Sequence, residues 1–335
     1  MKAIVRDRYG SPDVLHFRDV DMPQLGDGDL LVRVRAASLN AADLDYLYGR
    51  PGLARLATGI RGPRNRGLGL DVAGHVMAVG RNVAGFKPGD EVYGDMTAFG
   101  YGAFAEYLAA PAKAFAHKPA DMSFDSAATL PQAAVIALQG LQGKRPVRPG
   151  DKLLVNGASG NVGPFAVQIA KSLGAEVTGV CSTAKMDFVR SIGADHVIDY
   201  RRDDFTTRPE RYDRILDVVG QHSMASCRRA LMPGGVYVMA GGSALRILEA
   251  VVVGSLLSMA GSRSLGLLWW KPFRKEDVAF LEELIRSGKL TPAIDRHYAL
   301  KDVADALRYL DGKHARGKVV ITVGGPLDPS APARA

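Results

Sequence analysis

Cysteine is scarce in this chain. Only Cys181 and Cys227 occur among 335 residues, and their spacing matches neither a disulfide framework nor a redox Cys-x-x-Cys pair. Two thiols cannot form a four-cysteine zinc site, and the seven histidines show no ligand-like spacing with them. The sequence therefore predicts no metal site, and its cysteine content is typical of a reducing, cytoplasmic location.

Long apolar runs are also lacking. The most apolar stretch, residues 244–261, is interrupted by Arg246 and Glu249 and falls short of the roughly 20 residues that span a bilayer. Residues 1–10 carry charges and lack the apolar core of a signal peptide. We expect no membrane span and no export. We expect the apolar stretch to be buried, or to pack on a substrate or subunit surface.

The basic residues form no single run. The 43 Lys and Arg residues exceed the 35 Asp and Glu residues and give a net charge of +8. A dispersed excess favours a small anionic ligand over a nucleic acid, although a solvated surface explains it equally well. We expect no nucleic-acid partner.

Length and apolar pattern predict two domains, because 335 residues exceed the size at which one core usually stops growing. Residues 1–122 show short apolar runs broken by Gly and Pro, which is typical of an antiparallel β unit. Residues 123–267 alternate strands and helices, which predicts an α/β domain with a doubly wound parallel sheet of about six strands. Residues 268–327 return to short strands and complete the first domain, and residues 328–335 have the composition of a disordered tail.

A glycine-rich segment, residues 156–163, lies between a predicted strand and an amphipathic helix. This is the context that a dinucleotide-binding loop requires. Gly160 would let the backbone approach a pyrophosphate, and Gly163 would let the helix pack closely on the sheet. The cofactor contacts predicted in this loop are Ser159, Gly160, Asn161, Val162 and Gly163. The alternative is a purely structural strand-to-helix turn.

The end of the second strand of this domain predicts NADPH as the cofactor. An NAD-selective site places a carboxylate about 20 residues beyond the loop, where this chain has Ser182 and Thr183. Their hydroxyls and Lys185 can bind a 2′-phosphate that no carboxylate repels, and Tyr200, after the third strand, is predicted to join them. Alternatively, Ser182 caps the next helix and Lys185 is a solvated surface residue.

Two glycine-containing turns follow the fourth and fifth predicted strands. They contain Val219 with Gly220, and Ala240 with Gly241. A doubly wound sheet binds its ligand at the carboxyl ends of its strands. We therefore predict that these four residues line the cofactor site.

Six short motifs are spread over nearly the whole chain. They are residues 38–43 (SLNAAD), 69–74 (GLDVAG), 89–92 (GDEV), 104–107 (FAEY), 156–163 (NGASGNVG) and 314–318 (HARGK). Together they resemble the medium-chain dehydrogenase/reductase superfamily, and within it the zinc-free quinone oxidoreductase group related to zeta-crystallin. The resemblance implies a Rossmann domain inserted in a GroES-like, β-rich catalytic domain.

The resemblance also bears on metal and substrate. Zinc-dependent members have a cysteine in the place of Asn40 and a histidine in the place of Leu70, so this chain lacks two ligands. Without a Lewis acid, hydride delivery to an ordinary carbonyl leaves a localised alkoxide, whereas a quinone or an α,β-unsaturated carbonyl spreads the charge. We predict an NADPH-dependent, zinc-independent reductase of quinones or other conjugated carbonyls that acts by hydride transfer. The alternatives are an NADPH-binding sensor, a crystallin-like structural protein, an enoyl reductase of the same superfamily and a zinc alcohol dehydrogenase.

The resemblance implies roles for residues outside the glycine-rich loop. Asn40 is expected to orient the substrate or the nicotinamide, although Asn also favours turns. Arg316 and Lys318 are expected to reach the cofactor, with a cationic turn before the last strand as the alternative.

Three more positions and one segment complete the expectations. We interpret Tyr46 and Tyr48 as packing aromatics rather than proton donors. Ile136 stands where the family usually has a threonine near the nicotinamide, so one hydroxyl donor is missing. The resemblance and the apolar residues 251–257 suggest a homodimer.

Overall fold

The chain divides into two compact units. The computed structural model describes residues 1–143, 145–259 and 261–324. Unit 1 contains Met1–Gln132 and Ile294–Ala335, and unit 2 contains Ala133–Ala293. The predicted tail, residues 328–335, lies outside the described residues.

Unit 1 begins with a β-rich segment. Its elements are β1 (Lys2–Arg6), β2 (Leu15–Asp19), β3 (Asp29–Ser38), α1 (Ala41–Tyr48), α2 (Arg55–Thr58), β4 (Asp71–Val79), β5 (Glu91–Asp95), β6 (Tyr107–Pro111), β7 (Phe115–His117) and α3 (Phe124–Ala128). In β3 every second residue from Leu30 to Val34 is buried. The period-2 apolar pattern therefore folds as a strand with one face on the core.

Unit 2 alternates helices and strands. Its elements are α4 (Ala133–Leu141), β8 (Lys152–Asn156), α5 (Gly163–Ser172), β9 (Glu176–Cys181), α6 (Met186–Ser191), β10 (His196–Asp199), β11 (Tyr212–Asp217), α7 (Met224–Arg229), β12 (Leu231–Met239), α8 (Ala244–Met259), β13 (Ser264–Leu267) and α9 (Lys275–Arg286). Among the described residues, six strands form one parallel sheet in the order β10-β9-β8-β11-β12-β13. The predicted doubly wound sheet is confirmed, and its strand order reverses between β8 and β11.

The chain then returns to unit 1. It forms β14 (Ile294–Ala299), α10 (Val303–Asp311) and β15 (Lys318–Thr322). The described part of unit 1 contains a seven-stranded sheet, β14-β15-β3-β4-β5-β7 with β6 beside β3, and a two-stranded β1-β2 sheet. β15 pairs antiparallel with β3, so the start of β15 lies near the end of β3. The β-rich GroES-like architecture is confirmed.

The apolar face predicted for the helix after the loop forms α5. Phe165, Ala166, Ile169 and Ala170 are all buried, as their 3.6-residue spacing predicts. The helix contacts β8 and β9, so this face holds the glycine-rich loop against the sheet.

Both boundaries between the units lie later in the chain than predicted. α3 packs on β3 and β4, so the first boundary lies after Gln132 rather than after residue 122. α9 packs on α4, so the second boundary lies after Ala293 rather than after residue 267. The amphipathic pattern of these helices predicts a buried face but does not specify which sheet or helix covers it.

The most apolar stretch of the sequence forms α8. The expectation that it is buried is wrong for most of its length, since only Ala250 and Gly254 of this helix are buried. None of the helices in the described ranges is long and apolar enough to cross a membrane.

Candidate functional site

The glycine-rich loop joins β8 to α5. The five residues predicted to contact a cofactor here run from the loop into the first residue of the helix: Ser159, Gly160, Asn161, Val162 and Gly163. A Cβ on Gly163 would lie 2.2 Å from the carbonyl oxygen of Gly157, so the close packing of helix on loop requires glycine. Among the described residues, no atom comes closer than 3.5 Å to a Cβ on Gly160. Packing within the protein therefore does not require glycine at that position, and the predicted approach of a ligand is compatible with it.

The carboxyl ends of β8, β11 and β12 lie against one another. A Cβ on Gly220 would lie 2.3 Å from the carbonyl oxygen of Gly241, and a Cβ on Gly157 would lie 2.8 Å from a methyl carbon of Val219. Ala240 precedes Gly241 in the same turn. The structure therefore brings the loop and both predicted turns together, in the arrangement that binds a dinucleotide in doubly wound sheets.

Asp217, the last residue of β11, stabilises this junction. Its buried carboxylate accepts hydrogen bonds from Asn156 Nδ2 (2.9 Å), the Val219 N–H (2.9 Å), the Gly220 N–H (2.8 Å) and the Tyr237 hydroxyl (2.9 Å). Burial and the nearby Asp217 charge raise the pKa of Tyr237, which keeps its hydroxyl a donor. Asp217 is not among the residues predicted from the sequence, although an acidic residue directly before a Val-Val-Gly turn is a visible signal.

The four residues predicted to bind a 2′-phosphate lie together where β9 and β10 end. Ser182 precedes a 3₁₀ helix over Thr183–Lys185, and the Lys185 N–H donates to the Ser182 carbonyl oxygen (2.9 Å). The Tyr200 N–H donates to the Cys181 carbonyl oxygen (3.1 Å), and the Tyr200 side chain is 57% exposed. The arrangement places the Ser182 hydroxyl and the Lys185 side chain near Tyr200 at one edge of the sheet.

The same pocket contains a carboxylate, Asp199, which the sequence analysis missed. It accepts hydrogen bonds from the Thr183 hydroxyl and from the Arg201 N–H (3.0 Å), and Arg202 Nε lies 3.7 Å from its Oδ2. The bond from Thr183 lowers the pKa of Asp199. The expectation that no carboxylate lies here is wrong, because β10 places Asp199 beside the end of β9. Thr183 donates its only hydroxyl proton to Asp199.

A buried polar cluster lies where β3 ends and where β4 and β15 begin. Lys318 Nζ lies 2.6 Å from Asn40 Oδ1, 2.9 Å from the Leu39 carbonyl oxygen and 3.4 Å from Asp71 Oδ2. Asn40 Nδ2 and the Ser38 hydroxyl both donate to Asp71 Oδ2, at 2.9 and 3.1 Å. The Asn40 side-chain amide is thus held at both ends, and Asn40 is only 2% exposed.

Hydrogen bonds of these residues bear on three predictions. Lys318 is fully buried and donates to three acceptors, so its contacts contradict the predicted reach to a cofactor. Arg316 is exposed and its N–H donates to Asp295 (3.1 Å), so its cofactor contact stays a prediction. Asn40 precedes α1, and its N–H donates to Asp43 Oδ2 (2.7 Å), so the turn interpretation describes part of its role.

Three buried carboxyl groups share this cluster with one ammonium. Asp71 and Asp95 are paired across β4 and β5, and Asp43 lies on α1. Burial raises the pKa of Asp43 to about 8, and burial together with the Asp71 charge raises the pKa of Asp95 to about 7. Burial also raises the pKa of Asp71 and lowers that of Lys318. At neutral pH the cluster therefore retains at least one carboxyl proton.

The nearby tyrosines make packing and hydrogen-bond contacts within unit 1. The ring centroid of Tyr46 lies 3.7 Å from that of Tyr101, and the Tyr48 hydroxyl donates to Asp311 (2.7 Å). These contacts agree with the packing interpretation. Ile136, which replaces the family threonine, lies half-buried in α4 of unit 2.

Two family models match the chain. The model described as "Alcohol dehydrogenase GroES-like domain" matches residues 26–120, and the model described as "Zinc-binding dehydrogenase" matches residues 192–321. The chain is 34% identical to the 2-methylene-furan-3-one reductase of Solanum lycopersicum, over 96% of this chain and 79% of that protein. It is 32% identical to the chloroplastic NADPH-dependent alkenal/one oxidoreductase of Arabidopsis thaliana, with the same coverage. The solved quinone oxidoreductase of Coxiella burnetii superposes with a TM-score of 0.86 at 30% identity, covering 97% of this chain and 99% of that one.

The chain belongs to the medium-chain dehydrogenase/reductase superfamily. It is accordingly an oxidoreductase with a nicotinamide cofactor, and the loop and strand ends of unit 2 remain the predicted site for that cofactor.

In this dehydrogenase/reductase, the two positions that hold zinc ligands in zinc-dependent members bear no thiol and no imidazole. Asn40 has its amide bound to Lys318 and Asp71, and Leu70 is a buried apolar residue. Across the described ranges, no group of three or more His, Cys, Asp or Glu side chains is arranged to hold a metal ion. The oxygen atoms of Leu39, Asn40 and Asp71 at this place accept hydrogen bonds from the Lys318 ammonium.

Proposed function

We propose that this protein is a zinc-independent, NADPH-dependent oxidoreductase that reduces quinones or other conjugated carbonyl acceptors by hydride transfer. One observation carries the proposal: the Lys318 ammonium binds the amide of Asn40, the residue that the resemblance places where zinc-dependent members have a cysteine. A buried ammonium with three acceptors leaves no coordination position that could act on a carbonyl oxygen.

The acceptor must therefore carry the developing charge itself. NADPH, when bound, supplies the hydride. In a quinone or an α,β-unsaturated carbonyl the added electron pair is delocalised on to the carbonyl oxygen, so orientation and a few hydrogen-bond donors suffice. The names of three relatives support this substrate class: a furanone reductase, an alkenal/one oxidoreductase and a quinone oxidoreductase.

Preference for NADPH over NADH is part of the proposal. The supporting groups are the Ser182 hydroxyl and the cations Lys185 and Arg202 at the ends of β9 and β10. Asp199 opposes the preference, but hydrogen bonds from Thr183 and from a backbone N–H already occupy its oxygens. The balance favours a bound dianionic phosphate.

We also propose a cytoplasmic location. Cys181 and Cys227 are free, buried thiols, and burial raises their pKa values to about 11 and about 12. Such thiols are mostly protonated at neutral pH and suit a reducing compartment.

The test is NADPH consumption by chelator-treated protein with a panel of acceptors. We expect turnover with quinones and enals, none with a saturated aliphatic ketone, and slower turnover with NADH. Loss of activity on chelation that zinc restores would contradict the zinc-independent mechanism. Tight NADPH binding without turnover of any acceptor would favour a sensor or structural role instead.

A further inference from the structure

The polarity of α8 is the reverse of what a surface helix normally shows. Three of its four polar side chains, Arg246, Glu249 and Ser258, are half-buried, and Ser255 is exposed. Arg246 pairs with Glu249, and Glu249 Oε1 accepts the Met224 N–H (2.9 Å). The Ser258 hydroxyl donates to the Gly254 carbonyl oxygen (2.7 Å) and accepts the Leu265 N–H (2.8 Å). These polar groups are bonded within unit 2, whereas a surface helix usually directs them to water.

The opposite face of α8 is apolar and exposed. Its five large outward side chains are each half exposed or more, and they are Leu245, Leu248, Val252, Leu256 and Met259. They follow a helical spacing, so they form one continuous stripe. A contiguous exposed stripe of five large apolar side chains on a folded protein marks an interaction surface.

The segment around α8 is strongly basic. Residues 218–275 contain seven Lys and Arg residues and a single acidic residue, Glu249, which Arg246 neutralises. Among the described residues, five of these cations form no ion pair: Arg228, Arg229, Arg263, Lys271 and Lys275. Arg228 lies at the carboxyl end of α8, with its guanidinium 2.9 Å from where a Cβ on Gly261 would be.

Cations lie close to both ends of α8 in the fold. α8 connects the parallel strands β12 and β13, so it runs back along the sheet and the residues after β13 emerge near its first turn. Those residues include Trp269, which is 78% exposed, and Lys271. An exposed tryptophan and flanking cations beside an apolar helix are typical of elements that lie in a membrane interface.

The charge of this segment distinguishes between the two partners that could cover the stripe, a second copy of the chain and a lipid surface. A second copy of the chain would bring the same unpaired cations against each other, with no free acidic group in residues 218–275 to neutralise them. An anionic lipid surface attracts these cations while its acyl region accepts the stripe. The sixteen residues of α8 are too few to cross a bilayer but suffice to lie along its surface.

We propose that the protein binds reversibly to anionic lipid bilayers through α8, with the apolar stripe in the headgroup boundary and the surrounding cations on the lipid phosphates. The binding is peripheral, and it rests on residues of unit 2 outside the nucleotide site. It is independent of the proposed reaction, although quinone acceptors with apolar tails reside in such bilayers.

The experiment is sedimentation of the full chain with vesicles of phosphatidylcholine alone and of phosphatidylcholine mixed with phosphatidylglycerol. Sedimentation equilibrium without lipid runs in parallel. The variant is Leu248→Glu with Leu256→Glu, two outward residues whose replacement leaves the core intact. The matched control is Leu53→Glu with Ile60→Glu, two exposed apolar residues of unit 1. Circular dichroism melting establishes that each variant is folded.

We expect binding to the mixed vesicles that falls as salt rises from about 0.05 to about 0.5 M. The α8 variant should bind about a hundredfold more weakly, the control as tightly as the wild type. The proposal is overturned if the protein does not sediment with mixed vesicles, or if the α8 variant binds them like the wild type. A dimer in solution that the α8 variant abolishes would overturn it in favour of a second copy, the partner that the homodimer expectation places here.

Discussion

The buried ammonium of Lys318 fixes the Asn40 amide and so determines what the site in unit 1 can do. Without that ammonium, Asn40 Oδ1 and the Leu39 carbonyl oxygen lose a charged donor. The Asn40 amide would then be held only by the bond from its Nδ2 to Asp71, so its orientation would be less firmly fixed. We therefore expect Lys318 to act as a positioning residue rather than as a cofactor ligand.

Replacement of Lys318 tests this role. We expect Lys318→Met to lower kcat about tenfold or more and the free energy of unfolding by about 3 kcal/mol, with the Kd for NADPH changed less than about twofold. Fluorescence titration, steady-state kinetics and urea unfolding give the three values. Lys301→Met, at an exposed lysine of unit 1, should change none of them. A weaker NADPH affinity with unchanged kcat would instead support the original prediction of a cofactor contact.

Asp199 sets a limit on the preference for NADPH. Removing its charge in Asp199→Asn should raise the ratio of kcat/KM for NADPH to that for NADH about fivefold, because a negative charge beside the 2′-phosphate disappears. Lys185→Ala should lower the same ratio about tenfold. Asp187→Asn, at a fully exposed carboxylate of α6, is the control and should leave the ratio unchanged. An unchanged ratio in both test variants would mean that the phosphate binds elsewhere.

Asp95 makes the stability of unit 1 depend on pH. Its pKa rises from 3.8 to about 7 on folding, so the folded chain retains a proton that the unfolded chain has released. The stabilisation is complete below pH 3.8 and is lost as pH rises towards 7, at up to about 1.4 kcal/mol per pH unit. Asp95→Asn should remove this part of the slope in urea unfolding between pH 4 and 7. The exposed control Asp121→Asn should keep the wild-type slope, and an equal slope in Asp95→Asn would contradict the account.

At the scale of elements, the loop between β8 and α5 uses two glycines for different reasons. A Cβ on Gly163 collides with backbone, whereas a Cβ on Gly160 meets only an ordinary contact at 3.5 Å. Gly163→Ala should therefore lower the free energy of unfolding by about 2 kcal/mol and weaken NADPH binding as well. Gly160→Ala should leave stability unchanged and weaken NADPH about tenfold, because the new methyl meets the ligand. Thermal melting and titration separate the two effects, and normal NADPH affinity in Gly160→Ala would remove Gly160 from the site.

The sequence predicted best those elements whose secondary structure and buried face follow from their own residues. The apolar spacing of α5 and the short apolar strands of unit 2 led directly to the six-stranded sheet. The expectation that α8 is buried was wrong, because hydrophobicity predicts that a helix needs apolar cover but not that the cover comes from its own chain. The unit boundaries shifted for a similar reason, since α3 and α9 do not reveal their packing partners in sequence.

The same contrast between local patterns and distant packing partners applies to the site residues. The loop residues, Val219 and Gly220 could be predicted as site residues because they are local to strand ends. The Asn40–Lys318 contact joins residues 278 positions apart, and Asp199 meets Thr183 only through the pairing of β9 with β10. Such contacts depend on strand order and register, which a single sequence does not specify.

For the whole molecule, the excess of basic residues is concentrated in two segments of the chain. Residues 218–275, around α8, have a net charge of +6, and residues 46–89 of unit 1 have the same net charge. The part of the excess that surrounds α8 suits the proposed lipid surface. The nucleotide site needs only a few local cations to hold a phosphate.

The central claim is hydride transfer from NADPH to a conjugated carbonyl without a metal. The most direct measurement reduces an enal with chelator-treated protein and NADPH deuterated at C4 on one face, and then locates the label in the product by mass spectrometry and NMR. The account predicts one deuterium at the β-carbon of a saturated aldehyde, delivered from one face of the nicotinamide only. Deuterium on the carbonyl carbon, or a product without deuterium, would contradict it.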